Sequence, residues 1–416
     1  MLPLKNRKIV KKVLKFLDDQ EILAIHGSRQ VGKTSLLHYL SDNYLRAKVN
    51  PSNLIYFDLE DFVLLELCNR GPDEVVKYLK GKGADSNRKI YLLIDEIQYL
   101  ENPSSFLKLF HDRYRSNVKL LVTGSSSFLI KKKFRDSLAG RIIDFELFPL
   151  DFEEFLDFKD LIYDLSSDSE TLVGEILPLY KQHILYGGYP AVVLEDDVEK
   201  KEAKLKQVIN AYLKRDIRDL ATIRNIEKFN NLLRILASQS ANLLNIAELS
   251  NTLGIAKRTV EEYLFILEST YILKKIYPYH KNIRSELTKM PKIFFEDTGM
   301  LNLLINKTFS AVVTGQLLET SVYSFFRKNM DVENIAFWRT NKGQEIDFVL
   351  NFPKKNTLVP VEIKLSYAAK HRRNLRYFME RYSAPDGYFC CLDKSRVSRE
   401  NRITVSFPWQ MYSILW

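Results

Sequence analysis

The stretch HGSRQVGKT (26–34) matches G-x-x-x-x-G-K-[ST], with Gly27, Gly32, Lys33 and Thr34 in register. It constrains the fold because such a loop works only between a strand and a helix. ILAIHG (22–27) is a short apolar run ending in glycine, and 33–45 has helical periodicity through Leu36, Leu37 and Leu40. Glycines let the backbone curl close to phosphates with its N–H groups turned inward. The helix N-terminus adds positive potential. Gly27, Ser28, Arg29, Gln30, Val31, Gly32, Lys33, Thr34 and Ser35 are therefore the expected cradle of a nucleotide. Lys33 would reach the β- and γ-phosphates and Thr34 would ligate magnesium, so ATP and Mg2+ are the expected cofactors.

Around this loop, strand-like runs alternate with helical ones. LIYFDLE (54–60), KIYLLIDEI (89–97), KLLVTGS (119–125) and RIIDFELF (141–148) are further strands, separated by helical segments near 73–80 and 104–115. Such alternation implies a parallel sheet covered on both faces. YLLIDEI ends in Asp95 and Glu96. In a P-loop sheet, Asp95 would hold the magnesium shell and Glu96 would polarise the attacking water. KLLVTGSSS offers Thr123 or Ser125 as a γ-phosphate sensor, although hydroxyls there also cap a helix. Arg141, in LAGR, is a candidate finger for a neighbour's ATP, with an ordinary ion pair as its alternative.

HGSRQVGKTSLL, IDEIQYL, TGSSS, LAGR before LFPLDFEEF, and GGYP together resemble one widespread prokaryotic family. Its members join an AAA-type ATPase domain to a long C-terminal region. The resemblance covers about residues 5–400. It implies an ATPase fold with the P-loop strand central, and it adds Gln98 to the site. It supplies no substrate.

From 151 to about 225 the chain reads as mostly helical, punctuated by the GGYP turn (187–190). Residues 231–279 read as a winged helix-turn-helix. IAELSNTLG is its second helix, stopped by Gly254, and AKRTVEEYLFILE is its third, opened by Lys257 and Arg258. YILKKIYPY (271–279) is the expected wing. Lysine and arginine at the start of a recognition helix suit DNA phosphates. A packing or dimer module is the alternative, since Glu261 and Glu262 lie on the same helix.

The C-terminal part carries a second constellation. FWRTNKGQEIDFVL (337–350) reads as a hairpin turning at Asn341-Lys342-Gly343. Alternation puts Glu345 and Asp347 on one face of its second strand, with Ile346 and Phe348 on the other. TLVPVEIKLS (357–366) then puts Glu362 and Lys364 on one face. Asp followed by Glu-x-Lys is similar to nucleases of the restriction-endonuclease type. There Asp347 and Glu362 would share a divalent cation, joined by Glu319 from the helix 315–326, and Lys364 would orient or deprotonate the water. Polar residues outside a half-buried sheet are the alternative.

The expected fold class is thus α/β, with an AAA-type P-loop ATPase core (1–150), a helical lid or linker (151–225), a winged helix-turn-helix (226–282) and a nuclease-like α/β domain (283–416). Lysine and arginine exceed aspartate and glutamate to give a net charge of +10, which leans towards polyanionic partners. DNA is the expected partner, and a homo-oligomer is possible. The alternative function is a nucleotide-dependent signalling switch that cleaves nothing. Cys68, Cys390 and Cys391 have neither zinc nor disulfide-framework spacing, which suits a reducing cytosol. The basic N-terminus lacks a signal peptide's apolar core, and no window approaches ~18 apolar residues. A cytoplasmic protein with no membrane partner is expected.

Overall fold

The computed structural model describes residues 4–125, 138–212, 225–280, 289–368, 371–393 and 398–415. The chain divides into two units, the first formed chiefly by residues up to 148 and the second chiefly by those from 149 on.

The first unit holds five parallel strands: β1 (Ile22–Gly27), β2 (Leu54–Asp58), β3 (Ile90–Asp95), β4 (Val118–Ser125) and β5 (Ile142–Glu146). Their order is β2-β3-β4-β1-β5. Every residue of β1 and β3 is buried, as expected of parallel strands covered on both faces. The middle strand is β4, so the expectation of a central P-loop strand is corrected: β1 lies between β4 and β5. Asp58 pairs with Asp95, and Gly27 with Ser125, so these strand ends line one edge of the sheet. The helices that cover it include α1 (Lys33–Leu40), continued by a π-helical turn at Ser41–Leu45, α2 (Pro72–Gly81) and α3 (Pro103–Tyr114). Val75, Leu79, Leu107 and Phe110 from α2 and α3 join Leu92 and Ile94 of β3 in one core. A short helix, Val10–Leu14, precedes β1 and buries Val10 and Val13.

The second unit begins with helices, including α4 (Glu170–Tyr186). Three more follow, α5 (Ile226–Ser238), α6 (Ile246–Leu253) and α7 (Lys257–Ser269), then the antiparallel pair β6 (Leu273–Ile276) and β7 (Lys292–Phe295). The expected wing at 271–279 supplies only β6. The partner strand comes from 292–295, while the residues either side of Pro278 bond the Phe337 backbone. After α8 (Thr298–Asn306) and α9 (Gly315–Asn329) comes a six-stranded mixed sheet. Its strands are β8 (Ile335–Arg339), β9 (Glu345–Phe352), β10 (Thr357–Ile363), β11 (Gly387–Cys390), β12 (Ser398–Glu400) and β13 (Ile403–Ser406), in the order β12-β13-β11-β10-β9-β8. Helix α10 (Arg372–Tyr382) crosses over between the parallel strands β10 and β11. Its Leu375, Phe378 and Met379 pack on Ile346, Val349 and Phe389.

The GGYP turn has a physical explanation. A Cβ on Gly188 would sit 2.1 Å from the Leu150 carbonyl oxygen, so only glycine allows this approach. The buried Asp297 carboxylate caps α8 by accepting from Met300 N–H at 2.8 Å, and it accepts from Gly188 N–H at 2.8 Å. Burial nevertheless pushes Asp297 up to about 6. The folded chain thus holds a proton there that the unfolded chain, with an aspartate near ~3.9, has released. The Asp297 contribution to stability is therefore full below about pH 4 and falls as pH rises to 6. Asp297→Asn should remove that part of the pH slope in thermal melts. Gly188→Ala should cost about 1–3 kcal/mol by overpacking, read as a lower melting temperature at every pH.

Candidate functional site

At the edge where the first unit's strands end, the chain turns from Gly27 into the loop that opens α1. Gly27 passes so close to β5's exit that a Cβ would lie 2.1 Å from the Leu147 carbonyl oxygen. The loop curls round Lys33, whose buried ammonium donates to the carbonyls of Gly27 (3.1 Å) and Ser28 (3.0 Å). Ser28 and Val31 are buried, while Gln30, Thr34 and Ser35 are exposed and Arg29 is half-buried. Arg7 braces the loop from behind, donating to the Val31 carbonyl at 2.9 Å and the Phe148 carbonyl at 2.6 Å. No local pattern in the sequence marks Arg7, because its partners lie 24 and 141 residues away.

Asp95 is the hub. One of its oxygens accepts from Thr34 Oγ1 at 2.6 Å and from the Tyr56 hydroxyl at 3.0 Å. The other accepts from Thr123 Oγ1 and from Glu96 N–H. Burial first, and then the Asp95 charge, push the Tyr56 hydroxyl well above its ordinary range, so it stays a donor. Glu96 has φ of +56°, a left-handed conformation that costs energy for a non-glycine residue and commonly marks functional turns. Gln98 donates its amide to Glu96 Oε2. Hydroxyl and carboxylate oxygens so placed are the hard donors magnesium prefers, and that ion usually takes only one or two protein carboxylates beside substrate phosphates. The residues present fit it.

One expectation is corrected. Thr123 is fully buried and spends its hydroxyl on Asp95 and on Glu96 N–H (3.1 Å), so it positions those residues instead of facing a phosphate. The side chain of Ser125 lies outside the described residues. Arg141 sits at the start of β5, where its carbonyl accepts from Ile22 N–H, at the opposite edge of the sheet from the loop. Its guanidinium grips Asp112 through two bonds of 2.7 and 3.2 Å. Those bonds, with one from His111, hold Asp112 down at about 2. Arg141 is not placed to serve its own chain's nucleotide.

In the second unit, the hairpin turns as expected, with Thr340 N–H bonded to the Gln344 carbonyl. Strict alternation then fails. Trp338 pairs with Ile346 but Ala336 with Val349, so Phe337 alone faces both Asp347 and Phe348. This bulge re-aims side chains. Ile346 and Val349 face α10, whereas Phe348 packs on Phe326 of α9, the helix that carries Glu319. The β9–β10 register pairs strands through Phe348 and Val361, and just beyond it Ile363 N–H donates to Asp347 Oδ2 at 2.7 Å. Lys364 Nζ bonds Asp347 Oδ2 at 2.7 Å and Glu362 Oε1 at 2.9 Å. Burial and the Asp347 charge raise both Glu319 and Glu362 above the ordinary carboxylate range. Burial works to lower Lys364, but the Asp347 and Glu362 carboxylates outweigh it and raise the ammonium. Glu345 pairs with the buried Lys292 of β7.

The expected residues therefore meet, but not as a finished cation cage. Among the described residues no three acidic, histidine or cysteine groups converge on one metal position. An ammonium already balances Asp347 and Glu362. Glu362 Oε2, buried and without a hydrogen-bond partner, is the one donor that asks for a further cation. On α7, Lys257 and Arg258 are exposed, and Arg258 bonds Glu262 at 3.1 Å.

Residues 19–156 match the model of an AAA domain, residues 177–310 a domain of unknown function (DUF8612), and residues 314–412 another (DUF4143). An uncharacterized protein of Methanocaldococcus jannaschii is 28% identical over 381 residues, covering 90% of this chain and 82% of that protein. An uncharacterized protein of Haemophilus influenzae is 25% identical over 378 residues, covering 90% of each. Among solved structures, Cdc6p from Pyrobaculum aerophilum aligns with a TM-score of 0.32 and 13% identity, covering 74% of this chain and 95% of that one. AMPPCP-bound DnaA from Aquifex aeolicus aligns with a TM-score of 0.26 and 17% identity, covering 63% and 86%. No helix among the described residues is long and apolar enough to cross a membrane.

Lys364→Ala should leave two buried carboxylates without their counter-ion. Breaking such a pair costs about 3–5 kcal/mol. The full chain should melt lower at pH 7.5, and manganese should restore part of the loss by binding the folded state. An unchanged melting temperature would mean that the contact contributes nothing.

Proposed function

We propose that the chain binds and hydrolyses ATP with magnesium and uses the cycle to act on DNA. The supporting observation is the convergence of Lys33, Thr34, Asp95 and Glu96 at one sheet edge, with Thr34 and Asp95 2.6 Å apart. In this reading the loop N–H groups and Lys33 hold the β- and γ-phosphates, as in other P-loop proteins. Thr34 and Asp95 hold the magnesium ion, which neutralises charge developing on the phosphates. Glu96, oriented by Gln98, polarises water, and Thr123 and Tyr56 keep Asp95 aimed. Arg141 acts only on a nucleotide bound by a second copy, so its role requires a homo-oligomer.

The segments 226–282 and 283–416 are the proposed DNA-facing modules, a winged helix and a nuclease-like sheet, joined to the ATPase core (1–150) through 151–225. Lys257 and Arg258 would meet phosphates from α7. Asp347, Glu362 and Glu319 would take a divalent cation if Lys364 swings aside to serve the water. A second reading is a nucleotide-dependent switch that binds a partner without cutting it. The Lys364 ammonium between Asp347 and Glu362 favours it, because the site is already neutralised without metal.

By calorimetry, Lys33→Ala should abolish measurable ATP binding. Glu96→Gln should keep that binding while turnover falls by about 100-fold or more, as expected when a water-orienting group is lost. Equal ATP affinity in wild type and Lys33→Ala would end the ATPase proposal. Incubation of the full chain with duplex, single-stranded and branched DNA, with magnesium or manganese and with and without ATP, separates the two readings. Cutting that Asp347→Asn abolishes supports the first, and retention without cutting supports the second.

A further inference from the structure

Helix α10, HRRNLRYFMERY with its preceding histidine, is amphipathic, and its outer face is basic. Leu375, Phe378 and Met379 fill the core side. At 100° per residue, Arg376, Glu380, Arg373, Tyr377 and Arg381 form one continuous outer stripe, and all five are exposed. Among the described residues Arg373 and Arg376 make no hydrogen bond or ion pair, although Arg376 lies within electrostatic reach of Glu400. The Arg372 beside them is instead consumed by Glu400. Arg381 donates to the Tyr377 hydroxyl at 3.0 Å, which orients it without neutralising it. The stripe thus carries three guanidiniums, one carboxylate and one exposed aromatic ring.

Its position follows from Asn374, whose side-chain amide donates to the Glu345 carbonyl at 3.1 Å. Glu345 opens β9 two residues before Asp347. The first turn of α10 therefore lies at the sheet end where Asp347, Glu362 and Lys364 meet, and Lys342, exposed in the hairpin turn, belongs to the same end. From Arg373 to Arg381 the helix rises about 12 Å at ~1.5 Å per residue. That matches three to four nucleotides of a strand at ~3.4 Å each.

We propose that this stripe is the backbone-gripping surface of the C-terminal sheet, and that its partner is a nucleic-acid strand led across the end of β9 and β10. The inference rests on the proposal that DNA is the partner, but it assigns the main contact to α10. The comparison with α7 supports this choice. There Arg258 is held by Glu262, and Glu261 adds a second carboxylate, so the outer face of α7 is close to neutral. An acidic polypeptide would need spaced carboxylates, and it gains nothing from Tyr377, on which a base can stack.

The test is fluorescence anisotropy of the full-length chain with a labelled 20-nucleotide strand and the matching duplex, between 50 and 200 mM salt. Arg373→Glu with Arg376→Glu should weaken binding at least tenfold at 50 mM salt. The salt slope should fall by about 1.4 on the strand and 1.8 on the duplex, since each phosphate contact contributes ~0.7 or ~0.9. Arg373→Lys with Arg376→Lys should retain most of the affinity, and the double alanine variant should lie between. Melting temperature and ATP turnover serve as folding controls, because neither residue belongs to the nucleotide site. Unchanged affinity and slope in the glutamate variant overturn the inference. So does loss on Lys257→Glu with Arg258→Glu alone, an outcome that leaves DNA as the partner. Wild type that ignores both nucleic acids but binds poly-glutamate through these arginines overturns it in favour of an acidic polypeptide. Wild type that binds none of them removes the DNA proposal and the inference together.

Discussion

The contact between Thr34 and Asp95 is the constraint on which the nucleotide site depends. These residues are 61 apart in the chain: Thr34 lies in the helix that follows β1, Asp95 ends β3, and β4 separates those two strands. They meet because β1, β3 and β4 are parallel and in register, so their ends arrive at one edge. Asp95 is almost fully buried, and a buried carboxylate is tolerated only when its oxygens are well bonded. Thr34, Tyr56, Thr123 and Glu96 N–H supply those bonds from four directions. The same bonds that stabilise the charge also fix its orientation, so packing and function are one feature here.

The second unit solves a similar problem differently. Asp347 and Glu362 come from neighbouring strands to one ammonium, close enough that their like charges repel. The unit places Lys364 between them and Lys292 beside Glu345. Asp347 Oδ2 also accepts from Ile363 N–H at 2.7 Å, which ties the carboxylate to the neighbouring strand. Polar groups gathered this densely at a sheet end cost stability that a hydrophobic core would not, and functional sites are where such costs persist.

Much of this was legible in the sequence because it is written locally. Buried parallel strands are continuous apolar runs, and HGSRQVGKT announces its own strand–loop–helix setting. The ends of β1, β3, β8 and β9 fall within a residue or two of the apolar and alternating stretches. What stayed hidden depends on distant partners. Arg7 and Tyr56 look like ordinary polar residues until the fold brings Val31 and Asp95 to them. The bulge at Asp347 and Phe348 breaks a period that alternation alone would continue, and only the mismatch with β8 reveals it. The strand β7 pairs with β6 across an intervening stretch, so local reading assigned the wing to 271–279. The direction of Thr123 depends on Asp95, 28 residues away, so the strand pattern alone does not fix it.

The central claim is that Asp95, held by its hydroxyl neighbours, makes the nucleotide site magnesium-dependent. Calorimetry of ATP binding with and without magnesium, in wild type and Asp95→Asn, tests it most directly. The account predicts that magnesium tightens ATP binding in wild type, that Asp95→Asn retains the magnesium-free affinity, and that the magnesium-dependent gain is lost in the variant. The same gain in both proteins would contradict it.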